Sequence, residues 1–280
     1  AIIGGSGLYA LDGLEVTAEH DIETPFGKPS APVVECSAYG NKVLFLPRHG
    51  RNHEFLPSEV NFRANIYALK KLGATTVLSI SASGSLQEEI APGDLALASQ
   101  YFDHTRGFRK NSFFGEGVTA HISTAEPTCP VLAQDVLKAA SAINVKIHSD
   151  KTYACVEGPR LGTKAESFFL RGAAGCDIVG MTNVPEAFLA REAQMGYVTL
   201  AIATDYDCWN EDPNEHVSVE AVFAVYRENI DKIKTIISKL LENGISETPE
   251  KIRTALKGAV MTPDERLNDA QKEWLSVLKA

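Results

Sequence analysis

Short runs of apolar, often β-branched residues alternate along the chain with longer stretches in which apolar residues recur every three or four positions. The first pattern predicts β-strands and the second predicts amphipathic helices. About eight strands are predicted, at residues 1–4, 33–37, 42–46, 75–80, 94–98, 152–156, 178–181 and 198–204. Strands that alternate with helices indicate an α/β fold, a single domain built around one central sheet.

Helices are predicted at residues 57–72, 130–143, 164–172, 185–194 and 219–241. The last has the clearest periodicity, with Ser218 placed to cap its start and Asn243-Gly244 placed to end it. The helices at 57 and 130 begin with proline, whose missing amide is harmless in a first turn.

Residues 245–280 mix charged residues with a helical pattern of apolar ones. The apolar positions are Ile252, Leu256, Leu267, Trp274 and Leu278. We expect a peripheral helical arm that belongs to the same domain as residues 1–244, because no repeat and no low-complexity linker divides the chain.

Composition narrows the classes of function. The chain has 280 residues, 44% of them apolar, which is enough for the core of one large domain. Thirty-six acidic against 27 basic residues give a net charge of −9, so nucleic acid is a poor candidate partner. No apolar run approaches the roughly 18 residues of a membrane span. The chain starts at Ala1 without an initiator Met, so we expect a few residues to precede it, and no signal peptide is visible.

The five cysteines are widely spaced and include no C-x-x-C pair that would suggest zinc binding or redox chemistry. We expect free thiols in a reducing cytoplasm.

The first candidate for chemistry is Ile3-Gly4-Gly5-Ser6-Gly7, a strand running into glycines that let backbone amides approach an anion. Ser6 adds a hydroxyl donor, so a phosphate cradle is one interpretation. A structural turn is another. Gly5-x-Gly7-x-x-Ala10 also fits a dinucleotide fingerprint, although residues 11–17 do not look like the long helix that such a site requires.

The second candidate is Arg48-His49-Gly50-Arg51-Asn52-His53, which follows a predicted strand. Two arginines and two histidines in six residues predict local positive charge, and a planar guanidinium matches phosphate. A solvated loop would also explain the segment. A metal pair formed by His49 and His53 is disfavoured because it would need a helix across Gly50 and has no acidic partner.

The third candidate is the segment Ser79-Ile80-Ser81-Ala82-Ser83-Gly84-Ser85, interpreted as a strand that feeds small, hydroxylated residues. Ordinary turn chemistry could produce it. Three donor-rich strand ends in one chain favour a ligand site, because ligands of α/β sheets collect at the carboxyl ends of strands.

The fourth candidate is Thr204-Asp205-Tyr206-Asp207, at the end of an apolar strand. Residues two apart in an extended segment share a face, so Asp205 and Asp207 could reach one ligand. One of two adjacent carboxyls can hold a raised pKa and act as a general acid. A solvated turn or a metal-chelating pair is the alternative, although no third carboxylate lies nearby.

Together these segments resemble the trimeric purine nucleoside phosphorylase family over residues 2 to about 241. The resemblance is carried by Gly4-Gly5-Ser6-Gly7-Leu8, Thr24-Pro25-Phe26-Gly27-Lys28-Pro29-Ser30, Arg48-His49-Gly50-Arg51, Asn65-Ile66-Tyr67-Ala68-Leu69, Glu157-Gly158-Pro159-Arg160, Met181-Thr182-Asn183-Val184-Pro185-Glu186 and Ala203-Thr204-Asp205-Tyr206-Asp207-Cys208-Trp209. It implies a mixed central β-sheet flanked by helices. It also implies a homotrimer, which could pair into a hexamer, with active sites at the subunit borders.

The resemblance implies a reaction in which inorganic phosphate attacks C1′ of a purine nucleoside and releases the base, without a metal or an organic cofactor. The phosphate-binding positions that carry over are Ser6, Arg48, His49, Ser81, Ala82 through its amide, and Thr182.

For the nucleoside, the resemblance implies contacts with Val179 and Met181, and places Asp205 and Asp207 at the purine, with Asp205 as the catalytic acid. An aspartate favours adenine, because a carboxylate accepts from the 6-amino group. The implied 5′ pocket is an apolar wall that suits a methylthio group, with one residue coming from a neighbouring subunit. That residue is His121, and the others are Val219, Val222 and Phe223.

The expected reaction is therefore phosphorolysis of 5′-methylthioadenosine to adenine and 5-methylthioribose 1-phosphate. Leu161 stands where many relatives have a phenylalanine packed on the purine, which leaves 6-oxopurine nucleosides and methylthioinosine as rival substrates. Ser6 and Ser81 stand where threonine is common, but they keep the hydroxyl. A hydrolytic nucleosidase and a non-catalytic nucleotide-binding module are the rivals from other classes.

Overall fold

The computed structural model describes residues 1–5, 14–210 and 218–280. Within these ranges nine strands form one mixed sheet. They are β1 (Ile2–Gly4), β2 (Glu15–His20), β3 (Val33–Ala38), β4 (Asn41–Pro47), β5 (Thr76–Ser85), β6 (Leu95–His104), β7 (Ile147–Val156), β8 (Ile178–Gly180) and β9 (Gly196–Asp205).

The strand order is β2-β3-β4-β1-β5-β8-β7-β6-β9, and β9 also pairs with β5. Strands β5, β8, β7, β6 and β9 therefore close into a ring, from which β1, β4, β3 and β2 extend as an open sheet. Strands β1 and β4 run parallel to each other, and β1 and β9 run parallel to β5. Strand β8 runs antiparallel to β5. These directions bring the carboxyl ends of β1, β4, β8 and β9 towards the second half of β5.

Seven α-helices lie in the described ranges, and none has the length and hydrophobicity that a bilayer crossing needs. They are α1 (Phe62–Lys71), α2 (Pro130–Ala142), α3 (Lys164–Phe168), α4 (Asn183–Glu192), α5 (Val219–Asn243), α6 (Glu250–Arg253) and α7 (Asp269–Lys279). Helices α2 and α5 cover one face of the sheet, whereas α1, α4 and α7 cover the other.

Strand alternation builds both halves of the core. Ile2 points to the α2/α5 side and Ile3 to the α1/α4 side, and Leu78 and Val77 divide in the same way. Because both faces of the central strands are buried, their sequences read as continuous apolar runs. This confirms the α/β class and the mixed sheet expected from the sequence.

Each predicted strand overlaps an observed one, but β2 was not predicted. Its sequence, Glu15–His20, is polar and mostly exposed at the edge of the sheet, so it carries no burial pattern. Strand β5 extends through Ser81, Ala82 and Ser83, beyond the predicted end at residue 80, because these small residues continue to pair with β9. Strand β6 likewise extends to His104.

Helix α5 begins and ends as predicted, with Ser218 accepting a hydrogen bond from the amide of Ala221 and Gly244 at its end. The predicted start of α1 at Pro57 is wrong. Asn61 caps the helix instead by accepting from the amide of Ala64, so the helix begins at Phe62.

The arm after Gly244 is only partly helical, but the five apolar residues that define its predicted pattern are all buried. Ile252 joins the cluster under α2 and α5, whereas the other four join the cluster under α1 and α4. The arm therefore completes the core, although it was expected to lie at the periphery.

Candidate active site

A cavity of about 1120 Å³ lies where the carboxyl ends of β1, β4, β8 and β9 meet β5. Its wall contains residues from each of the four candidate segments. The predicted site residues that line it are Arg48, His49, Leu161, Ser81, Ala82, Val179, Met181, Thr182, Asp205, Asp207, Val222 and Phe223. Ser6 and the rest of the glycine segment after Gly5 lie outside the described residues. The same holds for most of the dinucleotide fingerprint Gly5-x-Gly7-x-x-Ala10, so both interpretations of this segment stay predictions.

Arg48 is fixed at the end of β4 by a buried ion pair. Its Nε and Nη2 donate to the two carboxylate oxygens of Glu186, at 2.7 and 2.9 Å, and both side chains are at most 3% exposed. Nη2 also donates to Ser79 Oγ at 2.6 Å, and Nη1 donates to the carbonyl of Ile80 at 3.1 Å. Four of the five N–H donors are thus used within the protein, which leaves one on Nη1.

The local positive charge expected from residues 48–53 is largely cancelled. Burial alone would lower the pKa of Arg48, but the adjacent Glu186 carboxylate outweighs it, raises the pKa and balances the charge. Arg51 does not line the cavity and pairs with Glu19 at 2.7 Å. The site therefore offers directed hydrogen-bond donors more than net charge.

His49 is neutral near pH 7. Burial, followed by the charge of Arg48, lowers its pKa to about 4. Its Nδ1 lies 2.9 Å from the carbonyl of Phe55. Because a carbonyl can only accept, the proton sits on Nδ1, and Nε2 is left as a hydrogen-bond acceptor.

The edge of β5 is open beside Arg48. Strand β1 pairs with β5 only as far as Ser79, and β8 begins to pair with it only at Gly84. The amide of Leu78 donates towards β1, so by the two-residue period the backbone groups of Ile80 and Ala82 point the same way. Ile80 uses its carbonyl on Arg48, and the amide of Ala82 faces the gap.

Two hydroxyl side chains flank this gap. Ser81 is buried, with its Oγ 3.3 Å from the hydroxyl of Tyr153 and 3.5 Å from that of Ser83. Thr182 precedes α4 but does not use its side chain to cap the helix. Both residues line the cavity, so the gap combines an arginine, an amide and two hydroxyls.

Asp205 and Asp207 lie at the far end of β5. Asp205 pairs with Gly84 in the sheet, and its carboxylate accepts from Thr204 Oγ1 at 2.7 Å and from the amide of Asp207 at 2.8 Å. Burial raises the pKa of Asp205 although both bonds favour the charged form. Burial also raises the pKa of Asp207, and the charge of Asp205 adds to this effect.

Both carboxyls reach the cavity, as the sequence predicted. The predicted reason is wrong, because Asp205 and Asp207 do not share a face of one extended strand. The strand ends at Asp205, and Asp207 starts a 3₁₀ turn with a φ of 50°. The shared site thus depends on a turn that the sequence did not reveal.

Gly158 and Met181 form the wall between these two regions. Gly158 has a φ of 69°, and a Cβ atom there would lie 2.6 Å from Met181 Sδ. Val179 lies on β8 beside Gly84, and Leu161 lines the same wall with 41% of its surface exposed.

The expected 5′ pocket is only partly formed by this chain. Val222 and Phe223 line the cavity from α5, and the ring of Phe223 packs edge-on against His53. Val219 is 57% exposed and does not line the cavity. His121 also lies elsewhere, with its amide bonded to the carbonyl of Ala259.

Sequence reasoning assigned no role to several residues of the site. Glu186 stood in a quoted motif, but nothing in the sequence pairs it with Arg48, 138 residues away. Tyr226 continues the face of Val222 and Phe223 at helical spacing, and that periodicity could have identified it. Among the residues that the structure describes, no cluster of three His, Cys, Asp or Glu side chains could hold a metal ion.

A family model and individual proteins of known sequence both match this chain. A sequence model of the phosphorylase superfamily matches residues 1–242. The S-methyl-5'-thioadenosine phosphorylase of Geobacter sulfurreducens is 44% identical over 277 residues, which cover 99% of this chain and 96% of that protein. The enzyme of the same name from Hyperthermus butylicus is 45% identical over 262 residues, or 94% of each chain.

Solved structures agree with these relatives. A methylthioadenosine phosphorylase sourced from an antarctic soil metagenomic library is 42% identical and superposes with a TM-score of 0.92 over 99% of this chain and 97% of its own. The methylthioadenosine phosphorylase of Schistosoma mansoni in complex with adenine is 36% identical, with a TM-score of 0.86 over 93% of this chain and 98% of that one.

Proposed function

Since this chain belongs to the phosphorylase superfamily, we propose that it catalyses the phosphorolysis of S-methyl-5′-thioadenosine to adenine and 5-methylthioribose 1-phosphate. The observation that carries the proposal is one cavity with two ends. Hydrogen-bond donors for phosphate lie at the open edge of β5, and the half-buried Asp205 and buried Asp207 lie beside Gly84, two residues further along β5 than Ala82. Ala82 and Gly84 are about 7 Å apart along β5, a separation that leaves room for a ribose between phosphate and base.

Phosphate binds in the gap beside Arg48. The free Nη1 hydrogen of Arg48, the amide of Ala82 and the hydroxyls of Ser81 and Thr182 donate to its oxygens, and Ser6 adds a further hydroxyl. His49 accepts a hydrogen bond at Nε2 from the P–OH group of monohydrogen phosphate, because its Nδ1 proton is committed to Phe55. This arrangement turns an unprotonated phosphate oxygen towards C1′.

An oxygen of phosphate then bonds to C1′ as the bond from C1′ to N9 breaks, and the electron pair of that bond passes to the purine. Asp205 donates a proton to N7 and so neutralises the departing base. The raised pKa of Asp205 supports this role, because a larger fraction of the carboxyl is protonated at a given pH.

Asp207 accepts from the 6-amino group, which favours adenine over 6-oxopurines, and Leu161 and Val179 contact the purine. Met181 lies under the ribose. Val222 and Phe223 supply apolar surface for the methylthio group.

Three further parts of the proposal concern the surroundings of the site. The enzyme is a homotrimer in which His121 from a neighbouring subunit completes the 5′ pocket beside Val219, and the exposure of both residues supports this. The same proposal extends to the pairing of two trimers into a hexamer. The enzyme acts in purine and methionine salvage in the cytoplasm, and phosphate is its co-substrate, without a metal or organic cofactor.

Initial rates on methylthioadenosine, adenosine, inosine and methylthioinosine, each with and without phosphate, test the substrate and the reaction class together. We expect methylthioadenosine to give the highest kcat/KM, with no turnover when phosphate is omitted and no loss of rate in EDTA. Equal rates without phosphate would instead indicate a hydrolase. Higher kcat/KM on methylthioinosine would overturn the assignment to adenine, and NAD binding without turnover would favour a nucleotide-binding module.

A further inference from the structure

Arg109 is a buried arginine just behind the cavity wall. It is 6% exposed and lies in the segment that follows β6, next to the lining residues Arg106 and Phe108. Its guanidinium stacks 5.6 Å from the ring of Phe62. Arg109 itself does not line the cavity.

One end of the guanidinium holds the turn between β8 and α4. Nη1 donates to the carbonyls of Met181 and Val184, each at 2.7 Å. These two carbonyls bracket Thr182, so a single nitrogen fixes the backbone that carries both Met181 and Thr182.

The other donors hold the segment after β7. Nε donates to Glu157 Oε1 at 2.9 Å, and Nη2 donates to the carbonyl of Glu157 at 2.8 Å and to that of Val156 at 3.4 Å. The next residue is Gly158, where a Cβ atom would lie 2.6 Å from the sulfur of Met181. Arg109 thus forms hydrogen bonds with both segments that meet where Gly158 lies against Met181.

We propose that Arg109 is a positioning residue for the ribose and phosphate sites, acting through the main chain of Met181 and Thr182. All five of its N–H donors are committed, so it keeps none for a ligand. The link to catalysis rests on the proposed function. The hydrogen bonds by which Arg109 holds residues 156–157 and 181–184, here called the clamp, are a property of the fold. None of the hydrogen bonds of Arg109 goes to Asp205 or Asp207, and its reach towards Leu161 is only through the main chain of Val156 and Glu157. Adenine binding should therefore depend on Arg109 much less than ribose and phosphate binding do.

Arg109→Lys keeps the positive charge but cannot span both segments, since a single ammonium replaces the planar fork. A displaced backbone should reduce kcat/KM for methylthioadenosine by about 10- to 100-fold, with the KM values for nucleoside and phosphate both raised. The dissociation constant for free adenine should stay within about twofold of wild type, because Arg109 does not touch the purine side.

The matched control is Arg191→Lys. Arg191 is a buried arginine at the other end of α4 that donates to the carbonyl of Glu126, away from the cavity. Hydrogen exchange at residues 181–184 should become faster in Arg109→Lys and stay unchanged in Arg191→Lys. Hydrogen exchange can be measured without turnover. A wild-type protein that shows no phosphorolysis would therefore overturn the proposed function, while the exchange rates at residues 181–184 would still test whether Arg109 holds this segment.

Three results would overturn the positioning role. The first is kcat/KM within about twofold of wild type, and the second is an adenine affinity that falls as much as kcat/KM does. The third is failure of both Arg109→Lys and Arg109→Gln to fold while Arg191→Lys folds, because Arg109 would then be a requirement of the fold.

Discussion

The pair formed by Arg48 and Glu186 combines a binding role with a structural one, and substitutions can separate them. In Arg48→Met the long apolar stem is kept and the guanidinium is lost. Glu186 would then be a buried carboxylate whose remaining hydrogen bonds from the described residues come from the hydroxyls of Ser79 and Tyr197, each 2.8 Å away. Adding Glu186→Gln removes the orphaned charge and keeps an acceptor for those hydroxyls.

The size of the effect follows from burial. Because both side chains are at most 3% exposed, losing one partner should cost about 3–5 kcal/mol of unfolding free energy. At roughly 2 °C per kcal/mol for a large domain, Arg48→Met should melt about 6–10 °C below wild type. The double variant should recover about half of this loss, because a neutral amide costs less to bury than a charged group. Neither variant should bind phosphate normally.

Thermal and urea unfolding of wild type, both single variants and the double variant give the coupling energy, and initial rates at varied phosphate give the functional loss. Recovery of stability without recovery of the phosphate KM would support the separation. A loss below about 1 kcal/mol in Arg48→Met, or additive losses in the double variant, would refute the argument from buried charge.

Two further predictions concern the surroundings of the site. Burial raises the pKa of Glu192 from 4.5 to about 7, so its protonated form stabilises the fold at low pH and this contribution is lost as the pH rises through 7. Glu192→Gln should therefore flatten the melting temperature between about pH 5 and 8 and add up to about 3 kcal/mol at pH 8, and an unchanged pH profile would contradict this. Gly158→Ala places a Cβ 2.6 Å from Met181 Sδ at a φ of 69°, so it should cost about 1–3 kcal/mol and raise the nucleoside KM. A nucleoside KM equal to that of wild type would show that Met181 does not contact the ribose.

The fold could be predicted where burial dictates the sequence. Strands β1, β4 and β9 are buried on both faces, and α5 has a long amphipathic face, so each leaves a clear pattern. Strand β2 leaves none, because it lies exposed at the edge of the sheet. The second half of β5 lies beyond the predicted end of its strand at residue 80, because Ser81, Ala82 and Ser83 are small and break the apolar run. All three line the cavity.

The site could be predicted as a set of residues but not as an electrostatic environment. The motifs identified residues at both ends of the cavity, including Arg48 and Asp205. They did not reveal that Glu186 neutralises Arg48 or that burial makes His49 neutral, because both effects depend on contacts between distant segments. The clamp formed by Arg109 was missed for the same reason.

The central claim is that phosphate and an acid for the departing base act from opposite ends of one cavity. Asp205→Asn tests it most directly, because asparagine keeps the size of the side chain and removes the transferable proton. Steady-state rates with methylthioadenosine at varied phosphate should show kcat reduced by about 10²- to 10⁴-fold while the KM for phosphate stays within about threefold. A variant as active as wild type, or one that loses phosphate affinity as strongly as it loses kcat, would contradict the account.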